Sequence, residues 1–215
     1  MWSDIVRPTI GAALALFILP AMGQWEKSVE RPGVLFREDF RETPPEKPIT
    51  TDHLSNPSLV LSLHGPGRSG IKKSHHDQPK DDPYYVWSGE ANGVWAVSLR
   101  LKEGLMDLRG AAKIRWRAHQ AGFRRLRPVV QLAGGSWLVA DQSDGASNDW
   151  REREFNVSDL RWRRLNIDTI TEGAWVPQPD LARVREVGFT DLMPGGGSAA
   201  CSRLDWIEVH GRKAE

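Results

Sequence analysis

Between Tyr84 and His210 the sequence is a succession of short β-prone runs, each ended by Gly, Asp, Asn or Pro, and this spacing leaves few folds open. The runs are Tyr84–Trp87, Val94–Leu101, Ala112–His119, Pro128–Leu132, Trp137–Ala140, Glu152–Val157, Trp162–Ile167, Val184–Thr190 and Leu204–His210. Several alternate with period two. In Lys113–His119, Ile114, Trp116 and Ala118 face one way, while Lys113, Arg115, Arg117 and His119 face the other. In Val94–Leu101, Val94, Ala96, Ser98 and Arg100 oppose Trp95, Val97, Leu99 and Leu101. That pattern reads as half-buried strands of antiparallel sheets. No stripe with a 3.6-residue period lasts longer than two turns; Val157–Leu160 and Asp180–Arg185 are at most single helical turns. No internal repeat is visible, which argues against a propeller or solenoid. The expectation is an all-β chain, a two-sheet antiparallel β-sandwich of the jelly-roll kind.

The earlier part of the chain is less regular. Val34–Phe40 and Leu59–Leu63 read as strands, and the stretches 41–57 and 65–83, rich in Pro, His and Asp, read as long loops. Ahead of them, Arg7, the apolar run Ile10–Leu19 and the small residues after Pro20 read as a cleaved signal peptide over residues 1–23. The run is short for a bilayer span, which takes about 20 residues. The expected organisation is leader, flexible lead-in 24–33, sandwich 34–211 and tail 212–215. The product would be secreted or periplasmic, with no membrane span after leader cleavage. Cys201 is the only cysteine, so no internal disulfide is possible and the core must carry the stability. With 29 basic and 28 acidic side chains the net charge is +1, which gives nucleic acid no bulk attraction.

Three groups of residues are candidates for chemistry. Of ten tryptophans, Trp95 and Trp116 fall on apolar strand phases and belong in the core. Trp137, Trp150 and Trp175 sit beside turn residues, where a partly exposed ring offers a platform for the C–H face of a sugar. The second group is the polar side of Lys113–His119: Arg115, Arg117 and His119, with Gln131 on the next strand, would present donors to sugar hydroxyls or to an acidic polysaccharide. The alternative for that face is a solvated sheet surface tied by salt bridges to Glu152, Glu154 or Asp168. The third is Glu152 and Glu154 themselves, on one face of a strand and about 6–7 Å apart. The neighbouring arginines favour two ionised, paired carboxylates over a general acid. His64, His75 and His76 match no common metal spacing and read as loop residues. No nucleophile elbow, zinc-helix motif or phosphate loop is present.

Val184-Arg-Glu-Val-Gly-Phe189, a Gly-rich turn at 194–197 and Leu204-Asp-Trp-Ile-Glu-Val209 form an ending that resembles the closing strands of galactose-binding-like sandwiches. Carbohydrate-binding modules and the complex I intermediate-associated protein 30 family share it. Glu38–Phe40 and Phe155–Trp162 are similar to upstream pieces of the same pattern. The resemblance implies a galactose-binding-like fold and a structural calcium ion where the first and last strands meet, held by Glu38, Asp39 and Asp205. The functional expectation is a non-catalytic, carbohydrate-binding or glycan-associated domain whose partner is a polysaccharide or oligosaccharide. Rival readings are a polysaccharide-degrading enzyme and a protein-partner module.

Overall fold

The computed structural model describes residues 31–40, 46–76, 78, 80, 83–194 and 200–215. The expected leader, most of the lead-in and residues 195–197 of the expected glycine turn lie outside them. The strands, in chain order, are β1 (Val34–Glu38), β2 (Leu59–His64), β3 (Lys72–Ser74), β4 (Tyr85–Trp87), β5 (Trp95–Leu101), β6 (Met106–Asp107), β7 (Lys113–Gln120) and β8 (Arg127–Leu132). They continue with β9 (Trp137–Ala140), β10 (Arg151–Asn156), β11 (Trp162–Asn166), β12 (Thr171–Val176), β13 (Val184–Asp191), β14 (Ser202–His210) and β15 (Arg212–Lys213).

Two antiparallel sheets result. The first runs β10-β7-β14-β4-β3, and β1 shares the β4 side of β14 at its other end. The second runs β12-β11-β9-β8-β13-β5-β2, with the small strands β6 and β15 attached at the start of β13. The chain is therefore the all-β, two-sheet antiparallel sandwich that the strand spacing predicts.

Period-two alternation decides what fills the space between the sheets. From β7 the inward residues are Ile114, Trp116 and Ala118; from β14 they are Leu204, Ile207 and Val209; from β5 they are Trp95, Val97 and Leu99. Edge-to-face ring contacts run within each sheet, Trp116 with Phe155 at 4.7 Å and Trp95 with Phe189 at 6.0 Å between centroids, and Trp116 meets Phe189 across the layer at 6.4 Å. Such geometry suits the aromatic quadrupole. The one polar atom of Trp116 is satisfied, Nε1 donating to Asp144 Oδ2 at 3.0 Å. Gly188 is required where β13 meets β5, because a Cβ there would lie 2.0 Å from the Val97 carbonyl oxygen.

Several expectations change. The stretch 65–83 is not all loop: Lys72–Ser74 forms β3 on β4, and residues 46–49 hydrogen-bond along 71–73. The expected tail pairs instead, Arg212 with Asp107 and Lys213 with Met106. Asp180–Arg185 holds no helix, since β13 already starts at Val184; Val157–Asp159 is a single 3-10 turn.

The expected calcium ligands are used separately. Glu38, 0% exposed, accepts from Phe40 N (2.6 Å), Ser55 N (2.8 Å), Ser55 Oγ (2.9 Å) and Asn56 N (2.9 Å). Three of these donors meet Oε1 and one meets Oε2. Asp39 pairs with Arg37 and Asp205 with Arg117. Among the described residues no group of three or more His, Cys, Asp or Glu is placed to hold a metal ion.

Candidate functional site

Each sheet has an outer face, and the sequence-predicted residues divide between them. On the first sheet, Arg115, Arg117 and His119 project outward from β7 as expected. Register sets Glu152 and Glu154 of β10 on one side of them and Trp206 and Glu208 of β14 on the other. Arg115 lies 3.0 Å from Glu208, 3.1 Å from Glu152 and 3.5 Å from Glu154; Lys113 pairs with Glu154 at 2.5 Å and Arg117 with Asp205 at 2.9 Å. Burial opposes ionisation of Glu208, yet the His210 hydrogen bond with Arg37 and Arg115 beside it holds this carboxyl below the usual range. The salt-bridged alternative is the one the structure adopts here. Glu152 and Glu154 are counter-ions to Lys113 and Arg115.

Trp150 joins this face, partly exposed, its ring 5.5 Å from Tyr85, 5.8 Å from His119 and 5.5 Å from the Arg117 guanidinium carbon. Loss of water and the charge of Arg203 lower the His119 pKa below its ordinary value. Trp175 is elsewhere, on the edge strand β12, 44% exposed and covered by Arg163 at 4.2 Å.

Gln131 and Trp137 correct the sequence reading. They lie not beside Arg115 but on the outer face of the second sheet, because the chain crosses the sandwich between β7 and β8. Trp137 is only 7% exposed, not the open platform its neighbouring glycines suggest. It ends a chain of contacts that crosses five adjacent strands. With the Gln131 amide oriented to satisfy its neighbours, its oxygen accepts from Trp137 Nε1 (3.2 Å) and its nitrogen donates to Glu186 Oε1 (3.3 Å). Ser98 Oγ donates to Glu186 Oε2 at 2.6 Å and lies 2.8 Å from His64 Nε2. The His64 ring then meets the Trp137 ring edge-on at 4.9 Å.

That last contact measures the shape of the sheet. Strands β9 and β2 have β8, β13 and β5 between them, which on a flat sheet would separate them by roughly 19 Å. Rings from both meet because this face is concave.

Beside Trp137 the concave face opens into a groove of about 560 Å³. Its polar lining comes from Arg164, Asn166, Thr169, Thr171 and Glu172, and its apolar wall from Trp137 and Leu165. Two backbone N–H groups, of Asp168 and Thr169, hold the Asn166 side-chain oxygen (3.1 and 3.2 Å), and Thr169 Oγ1 donates to Thr171 Oγ1 at 3.0 Å. Arg127 pairs with Glu172 at 2.8 Å, so the carboxylate is neutralised.

No family model matches the chain, and no curated protein matches it. Among solved structures it is similar to the family 11 carbohydrate-binding module of a cellulosomal cellulase of Clostridium thermocellum, at 13% identity and TM-score 0.48, over 85% of this chain and 97% of that one. The same kind of module from that organism, in complex with a β-1,3-1,4-mixed-linked tetrasaccharide, aligns at 15% identity and TM-score 0.44, over 81% and 100%. The glycoside hydrolase domain of Endo-D from Streptococcus pneumoniae aligns at 10% and 0.41, over 71% of this chain and 21% of that one. These values assign no family; the fold stands on the chain's own strand pairing.

Of the trio His64, Ser98 and Glu186, the sequence reading gives His64 as a loop residue, whereas it ends β2, half-buried; Ser98 and Glu186, with the groove residues Asn166, Thr169 and Thr171, escaped that reading. A signal existed for Ser98, which falls on the outward phase of its strand. None existed for the others, which come from β13 and from the β11–β12 hairpin. Chemically the trio is not a nucleophile site: Ser98 is fully buried and gives its proton to a carboxylate, not to an imidazole.

Proposed function

We propose that this chain is an exported carbohydrate-binding domain without catalysis of its own, whose ligand lies in the concave groove beside Trp137. The observation that carries this reading is the groove: open, about 560 Å³, walled by Trp137, Leu165 and Ile167, with the hydroxyls of Ser136, Thr169 and Thr171 and the Asn166 amide among its lining. Ligand clefts fall in this size range, and a few convergent polar groups fix orientation in them. Hydroxyls, an amide held by backbone N–H groups and a neutralised carboxylate match the alternating donors and acceptors of an uncharged sugar. Export is supported by the apolar run Ile10–Leu19, and N-terminal sequencing of the secreted product checks it.

The rival enzyme reading needs a free carboxyl or imidazole at the ligand. Glu152 and Glu154 are ion-paired on the opposite sheet, and Glu172 is paired to Arg127. Calorimetric titration of the mature chain with soluble neutral polysaccharides, beside a reducing-end release assay, tests both readings. Binding without release, weakened in Asn166→Ala, is the expected result. Release that disappears in Glu152→Gln or His119→Ala would replace the proposal with a hydrolase.

A further inference from the structure

We propose a second binding site on the opposite, convex sheet: a pocket for a sulfate or phosphate ester carried on a sugar. A depression of about 170 Å³ opens between β3, β4 and β14, lined by Lys72, Ser74, His76, Tyr85, Trp87 and Arg203. Register brings them together, since Lys72 and Arg203 flank Trp87 from either side and Ser74 stands opposite Tyr85. Two permanent cations and an imidazole line this pocket, and among the described residues no carboxylate does.

Arg203 separates this pocket from the rest of its face. Arg37, Arg115 and Arg117 each hold a carboxylate at 2.8–3.0 Å. Arg203, on the same face and only partly exposed, has no ion pair and no side-chain hydrogen bond among the described residues. Lys72 has Glu90 as its one ion-pair partner among the described residues, at 4.0 Å, and its ammonium lies 5.5 Å from the Trp87 ring centre. A guanidinium left without a counter-ion on a face that supplies one to every neighbour is a fork of donors awaiting an anion. A carboxylate offers two oxygens. A tetrahedral ester offers three and so meets the Arg203 fork, the Lys72 ammonium and the Ser74 hydroxyl at once. Trp87 forms the wall on which the body bearing the ester packs, and Trp150 stands beyond Tyr85, 5.5 Å between ring centroids. That this body is a sugar rests on the carbohydrate reading; that the pocket takes an oxyanion does not.

The test is calorimetric titration of the full chain with inorganic sulfate, inorganic phosphate, a sulfated polysaccharide and its desulfated form. Wild type, Arg203→Gln and Asn166→Ala are compared, with thermal melts to show that all three fold. Arg203→Gln is expected to lose at least about tenfold in affinity for the sulfated polymer, the weight of one charge-assisted pair, and to keep any binding of the desulfated one. Asn166→Ala is expected to do the reverse. The tighter of the two inorganic ions identifies the ester. Equal binding of sulfated and desulfated polymer, or unchanged binding in Arg203→Gln, overturns the site. Sulfate-dependent binding with no neutral-glycan binding in any variant keeps the site and removes the groove reading.

Discussion

Arg115, on the convex face, is shared by three carboxylates and stands about one third in water; Glu186, on the concave face, is 8% exposed and is held by a serine and a glutamine. Both faces are polar and both are organised, yet they rest on different physics. Exposed ion pairs gain little because water and salt screen them. A nearly dry hydrogen-bond chain gains little net from each bond but is costly to interrupt, since every orphaned atom keeps its desolvation penalty. The convex face is therefore a surface that tolerates change. The concave face is a fixed frame on which a groove can be held in shape.

The sharpest way to break this contrast is Trp137→Ala. It removes a buried indole that packs against His64 and bonds Gln131, so a loss of about 3–5 kcal/mol is expected in a denaturant melt; a loss under 1 kcal/mol would show that the frame is not a frame. Next comes Glu186→Ala, which strands Ser98 and Gln131, at about 1–3 kcal/mol.

Acid separates the faces further. Burial pushes the His64 pKa below the ordinary 6.5, against the pull of Glu186 and Asp168. A depressed imidazole gives stability above its unfolded value and loses it as pH falls through the folded one. The frame should thus begin to weaken below about pH 6.5, and His64→Gln should flatten that part of a melting-temperature profile. Glu208, also depressed, weakens the convex face only below the ordinary carboxyl value of 4.5. Loss of both steps at one pH would erase the distinction.

Arg115→Ala is the smallest effect, about 1 kcal/mol or less and shrinking further in 0.5–1 M salt, conditions under which the Debye length falls to a few ångströms.

The sequence shows the sandwich because inward residues are large, apolar and strictly alternating, as in Ile114, Trp116 and Ala118. It conceals β12, whose Thr-Glu-Gly-Ala-Trp-Val is exposed on both sides and carries no alternation, and β3, whose Lys-Lys-Ser reads as loop. The convex-face residues Arg115, Arg117 and His119 were legible for the same reason as the core: one strand fixes both of its phases. The concave site was not, because its members come from strands whose neighbours only the topology decides. Gln131 and Trp137 were found as residues and misplaced as partners. Trp137 also looked exposed beside its glycines, since curvature is a property of seven strands together and not of any one.

The pairing of β1 with β14 has a consequence for the order of events in the life of the chain. Arg37 and Glu208, neighbours across that ladder, are 171 residues apart. β1, the first strand in chain order, finds its edge only when β14, the last but one, exists, and that long closure is the slow kind of contact to form. A chain still emerging from a ribosome lacks the β14 around which β1, β4 and β7 assemble, and so cannot complete its first sheet. Until residues 202–210 are present, β1, β4 and β7 lack the strand that joins them, so the first sheet closes late and the second, which does not use β14, is free to pair before it.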